Sequence, residues 1–90
     1  MEIEFDEKKR LWTLATRGLD FLDAAQVFTG THFQIADDRR DYGEPRFWVF
    51  GWLGDRRVVI AWTPRGTRRR IIMMRHAHEE EFQVRGAGLD

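Results

Sequence analysis

The 90-residue chain has no cysteine, only two prolines and one tyrosine. Without cysteine there are no disulfides, no thiolate metal sites and no cysteine nucleophile. Apolar runs are also short. None approaches the roughly 18 residues of a membrane-spanning helix. The opening Met1-Glu2-Ile3-Glu4 has neither the basic nor the apolar region of a secretory signal. These absences predict a cytoplasmic protein with no membrane attachment. Three nucleotide and hydrolase signatures are missing as well: G-x-x-x-x-G-K-[ST], G-x-G-x-x-G and G-x-S-x-G. P-loop hydrolysis, dinucleotide redox chemistry and serine hydrolysis therefore lack support.

What is present is aromatic and charged. Four Trp and seven Phe are many for one small core, and 33% of the residues are charged. The formal net charge is zero, with 15 bases and 15 acids, but the distribution is uneven. Residues 1–38 hold four bases and eight acids. Residues 39–75 hold ten bases, all arginine, and three acids. Residues 76–90 hold one base and four acids. An arginine-rich middle suits an anionic partner such as nucleic acid or an acidic protein, because the guanidinium fork pairs with phosphate or carboxylate. The same arginines can instead pair with the chain's own acids.

Residues 1–5 alternate as a half-buried strand. Asp6 reads as a helix N-cap and Gly18 as the left-handed residue that ends the helix, giving a helix over 6–17 with Leu11, Trp12, Leu14 and Ala15 on its apolar side. A second cap at Asp20 opens a helix over 20–29, where Phe21, Ala24, Ala25 and Phe28 form a stripe. Residues 32–36 suit a strand, and 37–45 suit a charged loop. Strands are expected over 46–53, 56–63 and 68–75. Gly54-Asp55 marks the first hairpin and Pro64-Arg65-Gly66 the second turn. The run Val58-Val59-Ile60-Ala61-Trp62 suits a central strand buried on both faces. Residues 77–84 suit a short helix and 86–90 a frayed tail. The expected architecture is one α+β domain over 1–85, with two N-terminal helices on one face of a mainly antiparallel sheet.

Several short motifs then occur in one order. They are Phe5-Asp6 with Lys9, the helix end Gly18, and Phe21, Ala24, Val27 and Phe28. Next come Asp37-Asp38-Arg39, then Tyr42-Gly43-Glu44 and Arg46, then Val58-Val59, Thr63 and Arg65-Gly66. Arg70-Ile71-Ile72 and Arg75-x-Ala77 close the series. Together they resemble the BrnT family, the toxin half of BrnT/BrnA toxin–antitoxin modules. The resemblance implies a RelE-like two-layer fold and a ribonuclease that blocks translation. It also implies a cognate BrnA antitoxin that supplies any DNA binding. The chain departs from the family pattern at four places. Thr16-Arg17 stand where Lys-His is usual, Thr13 where Asn is, and Met73 where Ser is. Glu79-Glu80-Glu81 occupy a helix that is usually basic. These departures bear on catalysis more than on fold or partner.

A ribonuclease without a metal or other cofactor uses the substrate's 2′-hydroxyl as nucleophile. It needs a proton acceptor and cationic donors for the phosphate. Arginine serves the second role but stays protonated and is a poor base. Arg65, Arg70 and Glu44 are the catalytic candidates, with Glu44 as the base. Lys9, Arg39, Arg46 and Arg75 are the substrate-binding candidates. Asp38, Arg39, Glu44 and Arg46 also read as an ion-pair network fixing the loop, and Arg70 as the partner of Asp38 or Glu44. In a regular strand Arg70 and Arg75 face opposite sides, Arg68 sharing a face with Arg70 and Arg69 with Arg75. Only a bulge would bring Arg70 and Arg75 together. His76-Ala77-His78 lacks a third metal ligand by spacing, so no metal is expected; His76 could serve as an acid or base. Trp48, Phe50 and Trp52 alternate along one strand, with Trp62 near in the hairpin, as a core or protein-binding stripe or a base-stacking surface.

Overall fold

The computed structural model describes residues 2–85, with the side chains of 83–85 left aside; the expected tail at 86–90 lies outside the described residues. The order is β1 (Glu2–Glu4), α1 (Glu7–Arg17), a 3-10 turn (Phe21–Asp23), α2 (Ala24–Thr29), β2 (His32–Ala36), β3 (Phe47–Leu53), β4 (Arg56–Arg65), β5 (Arg68–His76) and α3 (Glu79–Arg85). The strands form one sheet in the order β1-β5-β4-β3-β2. It is mixed: β1 runs parallel to β5, and every other pairing is antiparallel.

The caps form as expected. Asp6 accepts from the backbone of Lys8 at 2.8 Å, and Gly18 adopts φ 69° while its N–H bonds Leu14. Asp20 caps the next element by accepting from Leu22 at 2.9 Å. The single helix expected over 20–29 is instead a 3-10 turn running into a short α-helix. The second turn also shifts. β4 continues through Pro64 and Arg65, and the reversal falls at Gly66, φ 60°. β3 pairing ends at Phe47 opposite Trp62, so no β3 carbonyl waits for the N–H that Pro64 lacks.

One face of the sheet carries the main core. Val49, Leu53, Val58, Ile60, Trp62, Ile71 and Met74 pack against Leu19, Phe21, Ala24, Val27 and Phe28. Gly51 belongs to this face because α2 lies so close. A Cβ there would stand 2.8 Å from Val27 Cγ1. β4 is central, buried from Val58 to Thr63, as its apolar run implied.

α1 departs from its expected orientation. Its buried residue is Thr13, whereas Leu11 (53%), Trp12 (55%), Leu14 (40%) and Ala15 are exposed. Polar contacts attach it instead: Arg10 to Asp20, the Arg17 guanidinium to the Met74 carbonyl, and the His76 ring to the Arg17 carbonyl. A helix held at the border of a sheet by its arginines need not turn its leucines inward.

α3 makes the second departure. It lies on the other face, where Phe82 meets the rings of Phe33, Phe50 and Trp52 at 5.8, 6.1 and 4.7 Å. The layering is therefore helix on both sides, not the two layers expected. Trp48, Phe50 and Trp52 share this second face. Trp62 does not, and packs on the core side with Phe28 and Phe47.

Candidate functional site

β5 contains one residue more than its partner requires. Ala61 pairs with Met73 but Trp62 pairs with Ile71, leaving Ile72 as the extra residue of a β-bulge. Alternation along β5 therefore resets. Ile71 and Met74, three apart, both enter the core. By the same reset Arg68, Arg70, Met73 and Arg75 share the face opposite α2. The pairing of Arg69 with Arg75 expected for a regular strand is thus overturned. Arg69 lies on the core side, its guanidinium 4.5 Å from the Phe28 ring centre and 4.7 Å from that of Trp62.

The register lays out this second face in rows. Glu4, Arg70 and Thr63 are cross-strand neighbours, and Glu2, Arg68 and Arg65 lie one row beyond. On the other side of Arg70 come Met73, Ala61 and Trp48, then Arg75, Val59 and Phe50. Thr63 and Val59 are four residues apart, so the Arg70 and Arg75 rows lie roughly 13 Å apart.

Glu44 joins this face from the loop. The buried Thr63 hydroxyl lies 2.9 Å from its Oε2 and 2.6 Å from the Pro45 carbonyl. Arg65 Nη2 stands 3.4 Å from Oε2 and Arg46 4.0 Å from Oε1. The Thr63 hydroxyl first, then the charges of Arg65 and Arg46, hold the Glu44 carboxyl below its usual range. Glu44 is thus ionised at neutral pH, and the same contacts make it a weaker base than a free glutamate. Arg46 also lies 4.1 Å over Tyr42, and its Nε is a buried donor with no partner among the described residues.

A second cluster surrounds Trp48. Arg39 forms a two-point pair with Asp37, at 2.8 and 3.0 Å, and the Tyr42 hydroxyl adds a third bond at 3.2 Å. The Asp37 side chain is only 5% exposed. Arg39, followed by Trp48 and Tyr42, holds its carboxyl well below the usual carboxylate range, against the opposing effect of burial. Arg39 stands 5.0 Å over the Trp48 ring and Arg75 6.0 Å from it. Arg75 is itself gripped by Glu81 of α3 through two bonds of 2.9 Å.

The expected loop network is thus two clusters, one around Asp37 and one around Glu44. Arg70 pairs with neither Asp38 nor Glu44 but with Glu4 at 3.1 Å. Arg65, Arg70 and Glu44 come together on one face, with Arg46 beside them and Arg39 and Arg75 a short way along it. Lys9 stands exposed on α1, and no side-chain bond joins it to either cluster. His76 is turned to the Arg17 carbonyl on the core side, away from these arginines. Among the described residues no group of three or more His, Asp or Glu is placed to hold a metal ion.

Glu4 and Trp48 are members of this face that were not among the site candidates. Nothing in the local sequence marks Glu4, because its partner lies 66 positions away. Trp48 was visible only as part of an aromatic stripe. No curated protein sequence matches the chain. A family model does match, over residues 5–81, and it is described as the ribonuclease toxin BrnT of type II toxin–antitoxin systems. Nearly the whole chain lies within that match, so this protein belongs to the BrnT toxin family.

Proposed function

We propose that the chain is an endoribonuclease that cleaves single-stranded RNA on the second face of its sheet and thereby blocks translation. One observation carries this reading: the Ile72 bulge brings Arg70 onto the face that holds Arg65 and the ionised Glu44. Glu44 takes the proton of the 2′-hydroxyl, whose oxygen attacks the adjacent phosphorus. The P–O5′ bond breaks, leaving a 2′,3′-cyclic phosphate and a 5′-oxygen that takes a proton from solvent. Arg65 and Arg70 stabilise the charge of the pentavalent phosphate. Arg46 and Arg75 hold the flanking backbone, and Arg39 contacts the substrate beside them. Lys9 is a further phosphate contact if the RNA extends to the α1 border.

The family context supports the remaining parts of the proposal. The fold is taken as RelE-like in one domain over 1–85, and the protein works in the cytoplasm. No helix among the described residues is long and apolar enough to cross a membrane. A cognate BrnA antitoxin neutralises the toxin and alone contacts DNA. The exposed Leu11, Trp12, Leu14 and Leu22 support a protein partner, since large apolar side chains clustered in sequence on a surface favour burial by another chain.

Incubation of antitoxin-free protein with labelled RNA tests the enzymatic reading. Cleavage with cyclic-phosphate ends that survives EDTA and falls on Arg65→Ala is the expected result. Intact RNA at low salt, together with normal growth on expression, refutes it.

A further inference from the structure

A cavity of about 360 Å³ opens beside the proposed cleavage face. Its walls include Asp38 and Arg39 on one side and Arg75 and Glu81 on the other, over Trp48 and Ile35. That volume lies in the lower range of small-molecule sites, about 300–1,000 Å³. The lining is aromatic and aliphatic below and charged at the rim, the usual composition of a pocket for a flat heterocycle. We infer that this cavity selects a guanine base of the RNA substrate. The inference rests on the ribonuclease reading and adds to it the base that the enzyme prefers.

The chemistry of the rim decides the base. Four of its charged groups are already joined in two pairs. Asp37 fixes Arg39 from behind, and Glu81 fixes Arg75. These pairs hold the guanidinium planes in place before any ligand arrives, which lowers the cost of ordering them on binding. Two groups remain open. The Asp38 carboxylate is exposed at the cavity and makes no hydrogen bond among the described residues, and Arg39 Nη1 likewise has no acceptor there. A carboxylate only accepts, and a guanidinium only donates.

Guanine is the base that satisfies both at once, the carboxylate with a pair of donors and the arginine with a carbonyl oxygen. Its N1–H and N2 amino group form two adjacent donors for a carboxylate. Its O6, beside N1 on the same edge, is an acceptor for the one open nitrogen of Arg39, Nη1. Cytosine and adenine offer a carboxylate only their exocyclic amino group. Uracil has no amino group, and its single N–H lies between two carbonyl oxygens that repel a carboxylate. The base would lie against the Trp48 side chain in the cavity wall, as bases of single-stranded RNA do on aromatic groups.

Short fluorescein-labelled oligouridines carrying one central G, inosine, A, C or U test the inference. Binding is read by anisotropy and cleavage by gel, using antitoxin-free protein and its Asp38→Asn variant. Wild type should bind the G oligomer on the order of tenfold or more tighter than the U oligomer, the loss expected for a missing bidentate base contact. Inosine, which lacks the N2 amino group, should lose most of that gain. Asp38→Asn should bring G and inosine to the same affinity, with an unchanged circular dichroism spectrum since Asp38 has no structural partner among the described residues. Equal binding of all five oligomers with cleavage intact overturns the guanine assignment and leaves the ribonuclease reading standing. A preference for G retained by Asp38→Asn overturns the role of Asp38. Failure to bind or cleave any oligomer overturns both readings.

Discussion

Replacing Arg70 by alanine separates a catalytic arginine from a structural one. Its guanidinium meets Glu4 at 3.1 Å, and the two side chains are 32% and 31% exposed. A pair that wet is worth about 0–1 kcal/mol, well short of the 3–5 kcal/mol lost when one member of a fully buried pair is removed. In a domain of this size 1 kcal/mol moves the melting midpoint by about 4–8 °C. Arg70→Ala should therefore remain folded at 25 °C, with a midpoint no more than about 8 °C below wild type. Its cleavage rate should fall on the order of 10²–10³-fold, the usual cost of deleting one donor to a transition-state oxyanion. Glu4→Gln is the companion variant. It breaks the same ion pair but leaves the guanidinium free, so it should bind RNA more tightly than wild type, most visibly at low salt. Thermal melts and single-turnover cleavage on both proteins complete the comparison. If Arg70→Ala cleaves within about threefold of wild type, the catalytic assignment is wrong; if it melts 15 °C lower, Arg70 is a structural residue and its pair with Glu4 is worth far more than an exposed ion pair.

Three further outcomes are expected. Gly51→Ala places a methyl group 2.8 Å from Val27 Cγ1 and 3.2 Å from His32 Cβ, so denaturant melts should show a loss of about 1–3 kcal/mol; an unchanged midpoint would mean that α2 yields freely. The Arg75 contact lowers the Glu81 carboxyl to about 2. Because that folded value is depressed, the contact's contribution is full above the unfolded carboxyl range near pH 4.3 and disappears as pH falls through about 2. Ring-current shifts from Phe82 should report α3 docked at pH 5 and released near pH 2, and release already at pH 5 would contradict the pairing. Met73→Ser shortens an apolar side chain between the Arg70 and Arg75 rows and adds a hydroxyl there; it should cost about 1 kcal/mol and raise the cleavage rate, a rate at or below wild type counting against the reading of Met73 as a departure that weakens catalysis.

Local signals were the legible ones. The caps at Asp6 and Asp20, the glycine at the end of α1, the Gly54 hairpin and the buried β4 run each depend on a few adjacent residues, and each formed where expected. The orientation of α1 was not legible, because Leu11, Trp12 and Leu14 mimic a core stripe while Arg10 and Arg17 make the attachments. Pairings distant in sequence were equally hidden. Glu4 with Arg70 and Arg17 with Met74 depend on which strand lies beside β5, and composition says nothing of that.

The bulge and the charge pattern have a joint consequence for the site. Of the arginines on the second face, Arg39, Arg46, Arg57, Arg65, Arg68, Arg70 and Arg75 each face a carboxylate, contributed by the acidic flanks and the loop. The basic middle and acidic ends of the chain therefore neutralise one another across this sheet, which is how a protein of zero net charge builds an arginine-rich face. Most of these pairs are partly exposed and individually weak. A phosphate chain can take the place of the carboxylates at little cost, provided the arginines stand on one side. In β5 that condition rests on Ile72. Without the extra residue, Arg70 and Arg75 would be divided by the sheet, and the charge available to a single RNA strand would be split with them.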